Sequence, residues 1–265
     1  MLELLVASGL LAVIMLGLLQ MFYQTDRAFR LGVVQGDVLE SGRSAMELIT
    51  RDLQEVSAID VPFTTNMNLW ASIGYAGPQF TLASGEVRDN YLQPFFFLRR
   101  ANGEWRGVRY DFVAADLAGG LGALYRMEIS SPGPYIPFED AEELSRFMDK
   151  NDAEGSLTAY GLVADGIVHL TIRAFNANGD LLYYDNLGNI FTNAWPTYLE
   201  APTYQYAFKG RELPAAVEVE LGVLEPKLAL RARNIANATA RRAFLRERAA
   251  NVHVFRQRVP IRTTP

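Results

Sequence analysis

The chain has 265 residues, a net charge of −5 and no cysteine. This length allows a membrane anchor plus one globular domain of roughly 200 residues. The lack of cysteine excludes disulfide frameworks, thiolate metal sites and cysteine nucleophiles. The charge is uneven, because residues 225–265 hold ten Lys or Arg and two Glu, a net +8, which leaves −13 for the first 224 residues.

Residues 1–23 form an unbroken apolar run whose single charge is Glu3. About 20 helical residues span the roughly 30 Å hydrocarbon core of a bilayer, so the run predicts a transmembrane helix. It differs from a cleaved secretory signal, which opens with basic residues and ends in small ones. A carboxylate in a membrane segment is costly and indicates a function. We expect Glu3 to pair with the N-terminal amine of a neighbouring copy; the alternative is a carboxylate that reaches water at the membrane edge.

After Tyr23 the pattern stays helical but becomes amphipathic. Apolar residues recur mostly every three or four positions, and charged residues fill much of the remainder. The apolar stripe comprises Leu31, Val34, Val38, Ala45, Ile49, Leu53 and Val56. One helix is therefore predicted from the N-terminus to about Ile59, with Pro62 as its stop. Glycines within it either serve close packing or allow bending, at positions Gly9, Gly17, Gly32, Gly36 and Gly42.

Beyond Pro62 the pattern changes to strands and turns. The predicted strands cover residues 95–100, 105–112, 124–129, 166–175, 181–184, 217–221 and 252–259. The first two and the fourth and fifth are expected to form hairpins, because Asn and Gly lie between them. Residues 226–250, rich in Ala, Arg, Leu and Glu, predict a helical insertion, and residues 131–137 and 186–202 predict loops.

These elements predict an α+β protein in which a long N-terminal hydrophobic helix packs on an antiparallel β-sheet domain. The helix is assigned to residues 1–58, of which 1–23 are apolar and 24–58 amphipathic. The globular, β-rich domain is assigned to residues 59–265.

The N-terminal segment resembles the processed subunits of the type IV pilin superfamily. Those subunits begin with an aromatic residue, a few apolar residues and a glutamate, followed by a continuous hydrophobic helix. Residues 1–7, Met-Leu-Glu-Leu-Leu-Val-Ala, fit this pattern if two residues precede Met1. We therefore expect the mature N-terminus, or its leader, to lie outside the given numbering.

Three further segments are similar to one group within that superfamily, the minor pseudopilin J of type II secretion and the related minor pilin W. Residues 42–56 resemble the end of the long helix of that group, and residues 165–180 resemble its central hairpin. Residues 213–221, with the closing strand that contains Phe255, resemble its C-terminal sheet. The resemblance implies a pilin-like fold.

The resemblance also implies a structural role without catalysis or cofactor. The protein would be a minor pseudopilin of a type II secretion pseudopilus or a minor pilin of a type IV pilus, in a tip or initiation complex. Its expected partners are I-like and K-like subunits, the prepilin peptidase that methylates the new amine, and the inner-membrane assembly platform. It would lie in the bacterial inner membrane with one span and a periplasmic domain, or in a periplasmic or surface filament.

In this interpretation Glu3 neutralises the amine of an incoming subunit. Charged residues on the outer side of the second half of the helix are expected to set register, namely Asp37, Glu40, Arg43, Glu47 and Arg51. The candidate contacts with other minor subunits are Arg43, Glu47, Arg51 and Asp52.

The basic C-terminal segment supports a different hypothesis, a pilus-associated subunit that binds DNA or an anionic surface. Its candidate contacts are Arg241, Arg242, Arg246 and Arg248. The alternative is an insertion that docks on the acidic remainder of the molecule, which would bury Phe244 and Leu245 against the sheet.

An enzymatic function lacks a motif in this sequence. No nucleophile elbow, zinc-protease, phosphate-loop or dinucleotide pattern occurs. His169 and His253 each lie in an alternating strand, where a half-exposed or hydrogen-bonded imidazole is expected. The acidic segments 139–143 and 149–155 are interpreted as solvated turns; the second could alternatively hold Ca²⁺ through its oxygen ligands.

Overall fold

A computed structural model of the protein describes residues 2–58, 67–71, 75–78, 80–81, 87–101, 104–112, 119–130, 161–184, 190–192, 206–209 and 212–262. Within these ranges the protein is α+β, with an N-terminal apolar helix and a large antiparallel sheet. The helices are α1 (Leu2–Gln54), α2 (Pro226–Arg233) and α3 (Ala238–Arg246). The predicted loop 131–137 and both acidic segments, 139–143 and 149–155, lie outside the described residues.

The strands form one large sheet and two small ribbons. They are β1 (Met67–Ala71), β2 (Tyr75–Ala76), β3 (Phe80–Thr81), β4 (Val87–Arg88), β5 (Tyr91–Leu92), β6 (Phe95–Ala101), β7 (Glu104–Phe112), β8 (Gly122–Ser130), β9 (Gly161–Phe175), β10 (Leu182–Tyr184), β11 (Ile190–Thr192), β12 (Tyr206–Lys209), β13 (Ala216–Leu224) and β14 (Val252–Pro260). The main sheet has the order β12-β1-β6-β7-β8-β9-β13-β14, and β5 joins it beside β9. The ribbons are β3-β4 and β10-β11.

The second half of α1 packs on one face of the main sheet, as its apolar stripe predicts. Val38, Ala45, Ile49, Leu53 and Val56 are all buried. They meet alternate strand residues on the same face, among them Val217, Val219 and Leu221 of β13. Gly42 lets the helix approach closely, because a Cβ at that position would overlap the ring of Phe255 on β14.

The helix ends at Gln54, before the predicted end at Ile59. The chain leaves the helix because its next residues pair with β6: Val56 forms an isolated β-bridge with Arg99, and Ser57 N donates to Leu98 O at 3.0 Å. The carbonyl groups of the last turn are satisfied by the residues that follow, because Glu55 N–H donates to Asp52 O at 3.1 Å and Val56 N–H donates to Leu53 O at 3.3 Å.

The predicted hairpin from β9 to β10 is only partly present. The turn forms, with Gly179 at φ +88° and the Asn176 side chain accepting N–H groups of the turn. After a single bridge from Phe175 to Leu181, β10 pairs with β11 instead, inside the segment 186–202 that was predicted as a loop. Both edges of β9 are already occupied, by β13 on one side and by β5 and Gln93 on the other, where Gln93 Oε1 accepts Ile172 N–H at 2.8 Å.

The predicted helical insertion is present as α2 and α3 between β13 and β14. It forms a second, smaller core with Val168, Leu224 and Leu245 among its buried members. The insertion lies at the end of the sheet nearer to the N-terminal half of α1. Leu221 of β13 pairs with Phe255, which contacts Gly42 of the helix. Beyond Leu221, β13 continues to Leu224, which lies near the earlier helix residues Asp37 and Val38.

We predict that Gly42→Ala destabilises the protein relative to Gly36→Ala. Both changes raise helix propensity by up to about 1 kcal/mol. Only the first adds a Cβ that overlaps the Phe255 ring, since nothing lies within 4 Å of a Cβ at Gly36. Overpacking costs about 1–3 kcal/mol, so urea unfolding in detergent should show a difference of that size. Equal free energies of unfolding would show that the ring moves aside without cost.

Candidate functional site

The first half of α1 exposes its apolar side chains. The stretch Gly9–Phe29 is long and apolar enough to cross a membrane, and none of its apolar window is buried by the rest of the protein. Phe22, for example, is 76% exposed. Glu3 lies in the first turn of the helix and is also exposed. This arrangement is consistent with a single-pass membrane anchor whose apolar surface requires cover by lipid or by other helices.

The outer face of the second half carries exposed charges. Arg43, Glu47 and Arg51 point away from the sheet and are accessible to a partner. Asp52, which the sequence analysis grouped with them, is only 3% exposed. It faces the sheet, so it is not a surface contact, and this corrects that prediction.

Asp52 lies at the centre of a buried ion cluster. Its Oδ2 accepts Tyr110 Oη–H at 2.7 Å and Arg126 Nε–H at 2.6 Å. Its Oδ1 accepts Arg126 Nη2–H at 3.2 Å and lies 3.6 Å from Arg99 Nη1. All four side chains sit where the last helical turn meets the sheet. A buried carboxylate is tolerated only with such partners.

Glu128 forms the second acidic centre of the same cluster. It accepts Arg99 Nη2–H at 2.7 Å and Arg106 Nη1–H at 2.9 Å, and it lies 2.8 Å from Arg126 Nη2. Arg99 also pairs with Glu55 at the helix end. Among the residues that the structure describes, three arginines therefore face three carboxylates.

Alternation along β6, β7 and β8 places these groups together. Arg99, Arg106 and Arg126 occupy positions whose side chains point to the helix face, on three neighbouring strands. Tyr110 is the cross-strand partner of Arg126, and Arg99 is that of Arg106. Side chains two residues apart on a strand share a face, so the pairing register brings the charges within contact distance.

The cluster shifts the protonation of its members. Burial alone would raise the pKa of Glu128, but hydrogen bonds from Arg99, Arg106 and Arg126 outweigh it and hold that pKa at about 2. Burial, together with the charge of Asp52, raises the pKa of Tyr110 well above its usual range. Glu128 therefore stays ionised, and Tyr110 stays a donor, throughout the neutral range.

The sequence contained a signal for this cluster. Asp52 follows Ile49 by three positions and precedes Val56 by four, so it shares the spacing of the buried stripe. A charged residue inside an apolar stripe requires buried partners of opposite charge. The sequence analysis treated the charges on the helix as solvent-exposed and therefore did not identify Asp52 as a buried residue.

A second charged cluster lies on the opposite face of the sheet, around Glu220 of β13. Glu220 is 4% exposed and accepts Arg88 Nη2–H at 2.5 Å and Arg256 Nε–H at 2.9 Å. Arg173 Nη2 lies 3.7 Å away. Burial raises the pKa of Glu220, but the Arg256 hydrogen bond and the Arg88 charge lower it by more, so the group remains a carboxylate.

His169 borders this cluster and is 3% exposed. Its Nδ1 accepts Tyr91 N–H at 3.2 Å, so in the neutral ring the proton lies on Nε2. Nε2 faces Thr171 Oγ1 at 3.2 Å and Glu220 Oε1 at 3.7 Å. Burial, assisted by the Arg88 charge, lowers the pKa of His169 to about 3. This is the hydrogen-bonded imidazole that the strand pattern predicts; His253 is half-exposed.

The basic insertion has one arginine in the interior. Arg241 is 6% exposed, and it donates from Nε to Ala232 O at 3.0 Å and from Nη2 to Ile235 O at 2.8 Å. It thereby satisfies carbonyl groups where α2 ends. Arg241 is therefore not part of an exposed anion-binding surface, a correction to the sequence analysis. The other candidate contacts stay at least partly accessible, namely Arg242, Arg246 and Arg248.

The insertion packs against the sheet. Leu245 is fully buried, and Phe244 is half-buried with the Arg248 guanidinium 5.3 Å from its ring centre. Both side chains belong to the small core that contains Val168 and Leu224. This is the arrangement that the docking alternative predicts.

We predict that Asp52→Asn lowers the free energy of unfolding by about 3 kcal/mol, because removing one member of a buried ion pair leaves the others uncompensated. Glu47→Gln is the matched control, since Glu47 is exposed on the same helix and its loss should change stability by no more than about 0.5 kcal/mol. Urea unfolding in detergent measures both. A loss below 1 kcal/mol for Asp52→Asn would contradict a central role for this carboxylate.

We predict that stability falls as the pH decreases from 7 to 5 and that His169→Asn removes much of this dependence. The folded-state pKa of His169 lies below the ordinary value of 6.5, so the unfolded chain binds a proton that the folded chain does not. The loss at pH 5 is about 2 kcal/mol. Asparagine retains an acceptor for Tyr91 N–H.

The control for this experiment is His253→Asn, which removes the other histidine. Unfolding curves at pH 7, 6 and 5 should keep their pH dependence in the control and flatten in His169→Asn. An unchanged slope in His169→Asn would show that other groups cause the acid sensitivity.

Comparison with known proteins identifies no family for this chain. No protein-family model matches the sequence, and no curated protein matches it significantly. No group of three or more His, Cys, Asp or Glu side chains that could hold a metal ion occurs in the described ranges.

Proposed function

We propose that the protein is a structural subunit of the pilin type, a minor pseudopilin or minor pilin that is held in a membrane by α1 before it joins a filament. The supporting observation is the division of one continuous helix into two environments. Its first half exposes apolar side chains, and its second half is buried against a sheet of the same chain. A helix of this kind suits a subunit that moves from lipid into a bundle of like helices.

Glu3 would act at the moment of assembly. An exposed carboxylate near the start of an apolar helix is costly inside a bundle unless a cation neutralises it. The N-terminal amine of a neighbouring subunit supplies that cation at the matching height. The pair would favour one axial stagger over others, because every other stagger leaves both charges unpaired.

The outer face of α1 would then select partners. Arg43, Glu47 and Arg51 are exposed at successive turns, whereas Asp52 is engaged with the sheet. Exposed ion pairs are each worth only about 0–1 kcal/mol, so they would set register with I-like and K-like subunits while the apolar half supplies most of the affinity.

A binding subunit for DNA is less well supported. Arg241 donates to carbonyl groups of its own chain, and Leu245 is buried against the sheet. The insertion therefore has a structural role that does not require nucleic acid.

We predict that Glu3→Ala leaves the domain folded and lowers incorporation into filaments or tip complexes at native expression. Glu40→Ala is the matched control, because it removes an exposed carboxylate from the same helix outside the apolar half. Incorporation is measured as the fraction of protein that cross-links to other prepilins in the native host. Equal incorporation of the two variants would refute the pairing of Glu3 with an amine.

A further inference from the structure

The exposed face of α2 combines cationic and apolar side chains. Lys227, Leu230, Arg231 and Asn234 are all exposed at spacings of three and four, so they lie on one face of the helix. Leu230 is 62% exposed, whereas Ala229 beside it is buried. Helices that lie on an anionic membrane surface combine basic side chains with apolar ones that enter the interface.

The neighbouring helix adds to this charge. Residues 225–251 contain seven basic and two acidic residues. Lys227, Arg231 and Arg246 are exposed and make no ion pair with any part of the chain that the structure describes. Arg233 is different, because it is paired with Asp165. The free cations are therefore directed outward rather than used to dock the insertion.

The fold holds this insertion at the end of the domain nearest the membrane anchor. Residues of α1 and α2 line a common groove of about 270 Å³, among them Asp37, Val38 and Ala229. Asp37 follows Phe29, the end of the membrane-spanning stretch, by eight residues, which is about 12 Å along a helix.

That distance is short compared with the reach of membrane electrostatics. Headgroups add roughly 5–7 Å beyond the hydrocarbon core, so the groove begins only a few Å outside them. Charges are screened over about 8 Å at physiological ionic strength. Cations at this level therefore lie within the field of anionic lipids.

We propose that α2 and α3 form a membrane-surface contact, in which Lys227, Arg231 and Arg246 bind anionic phospholipid headgroups of the bilayer that holds α1. Leu230 enters the headgroup layer between Lys227 and Arg231. The contact sets the orientation of the domain on the membrane before assembly. The inference rests on the membrane-anchored state in the proposed function, but not on the identity of the filament.

The test uses the full chain in lipid nanodiscs. Because the sequence has no cysteine, Asn234→Cys gives a single site for a fluorophore on the exposed face of α2. A nitroxide on the lipid headgroup quenches this label only near contact. We expect strong quenching in discs that contain phosphatidylglycerol, and weak quenching in phosphatidylcholine alone or at high salt.

Two matched double variants locate the effect. Lys227→Glu/Arg231→Glu should lower the ratio of quenched to unquenched label at least about tenfold. Arg43→Glu/Arg51→Glu makes the same charge change on the outer face of α1, farther from the span, and should leave quenching unchanged. Urea unfolding should be the same for both, since all four side chains are exposed.

The remaining outcomes would overturn the proposal. Equal quenching in both lipid compositions, or equal quenching for the two double variants, would show that the basic face does not contact headgroups. Binding of duplex DNA that only Lys227→Glu/Arg231→Glu abolishes, combined with equal quenching, would assign the face to nucleic acid. Insertion of the labelled protein into the discs is measured separately, so failure of the anchor is distinguishable from failure of the contact.

Discussion

The carboxylate of Asp52 determines how the long helix sits on the domain. A buried charge is stable only where its partners are, and those partners lie on β6, β7 and β8. The helix therefore cannot roll about its axis without breaking the cluster. By fixing the rotation of the helix about its axis, Asp52 also places Arg43, Glu47 and Arg51 on the outward face. One inward charge thus defines the surface that a neighbour would meet.

The two halves of α1 follow different physical rules. The second half obtains its stability from burial against alternating apolar strand residues, and Gly42 allows the closest approach. In the stretch Gly9–Phe29, none of the apolar window is buried by the part of the protein that the structure describes. An exposed apolar surface of this size favours contact with lipid or with other helices.

Much of the fold was predictable from local patterns. β6 and β7 were located by the Asn-Gly turn between them, β9 and β13 by alternation, and the stripe on α1 by its spacing. The pairing of β10 with β11 was not predictable from the sequence, since it depends on which edges of β9 are already occupied. Asp52 and Arg241 were read as surface charges because single-residue polarity does not reveal a buried partner. The exposed position of Arg51, in contrast, agrees with the outward face predicted from the pattern.

The continuity of α1 has a mechanical consequence. Its 53 residues span about 80 Å, and the described side chains that bury it against the sheet run from Val38 to Leu53, about 22 Å along the axis. The exposed apolar stretch Gly9–Phe29 is about 30 Å long. A sideways force on that stretch therefore acts through a longer lever than the packed segment that resists it. The buried stripe, the close approach at Gly42 and the ion pairs of Asp52 together set how stiffly the helix keeps its angle to the domain.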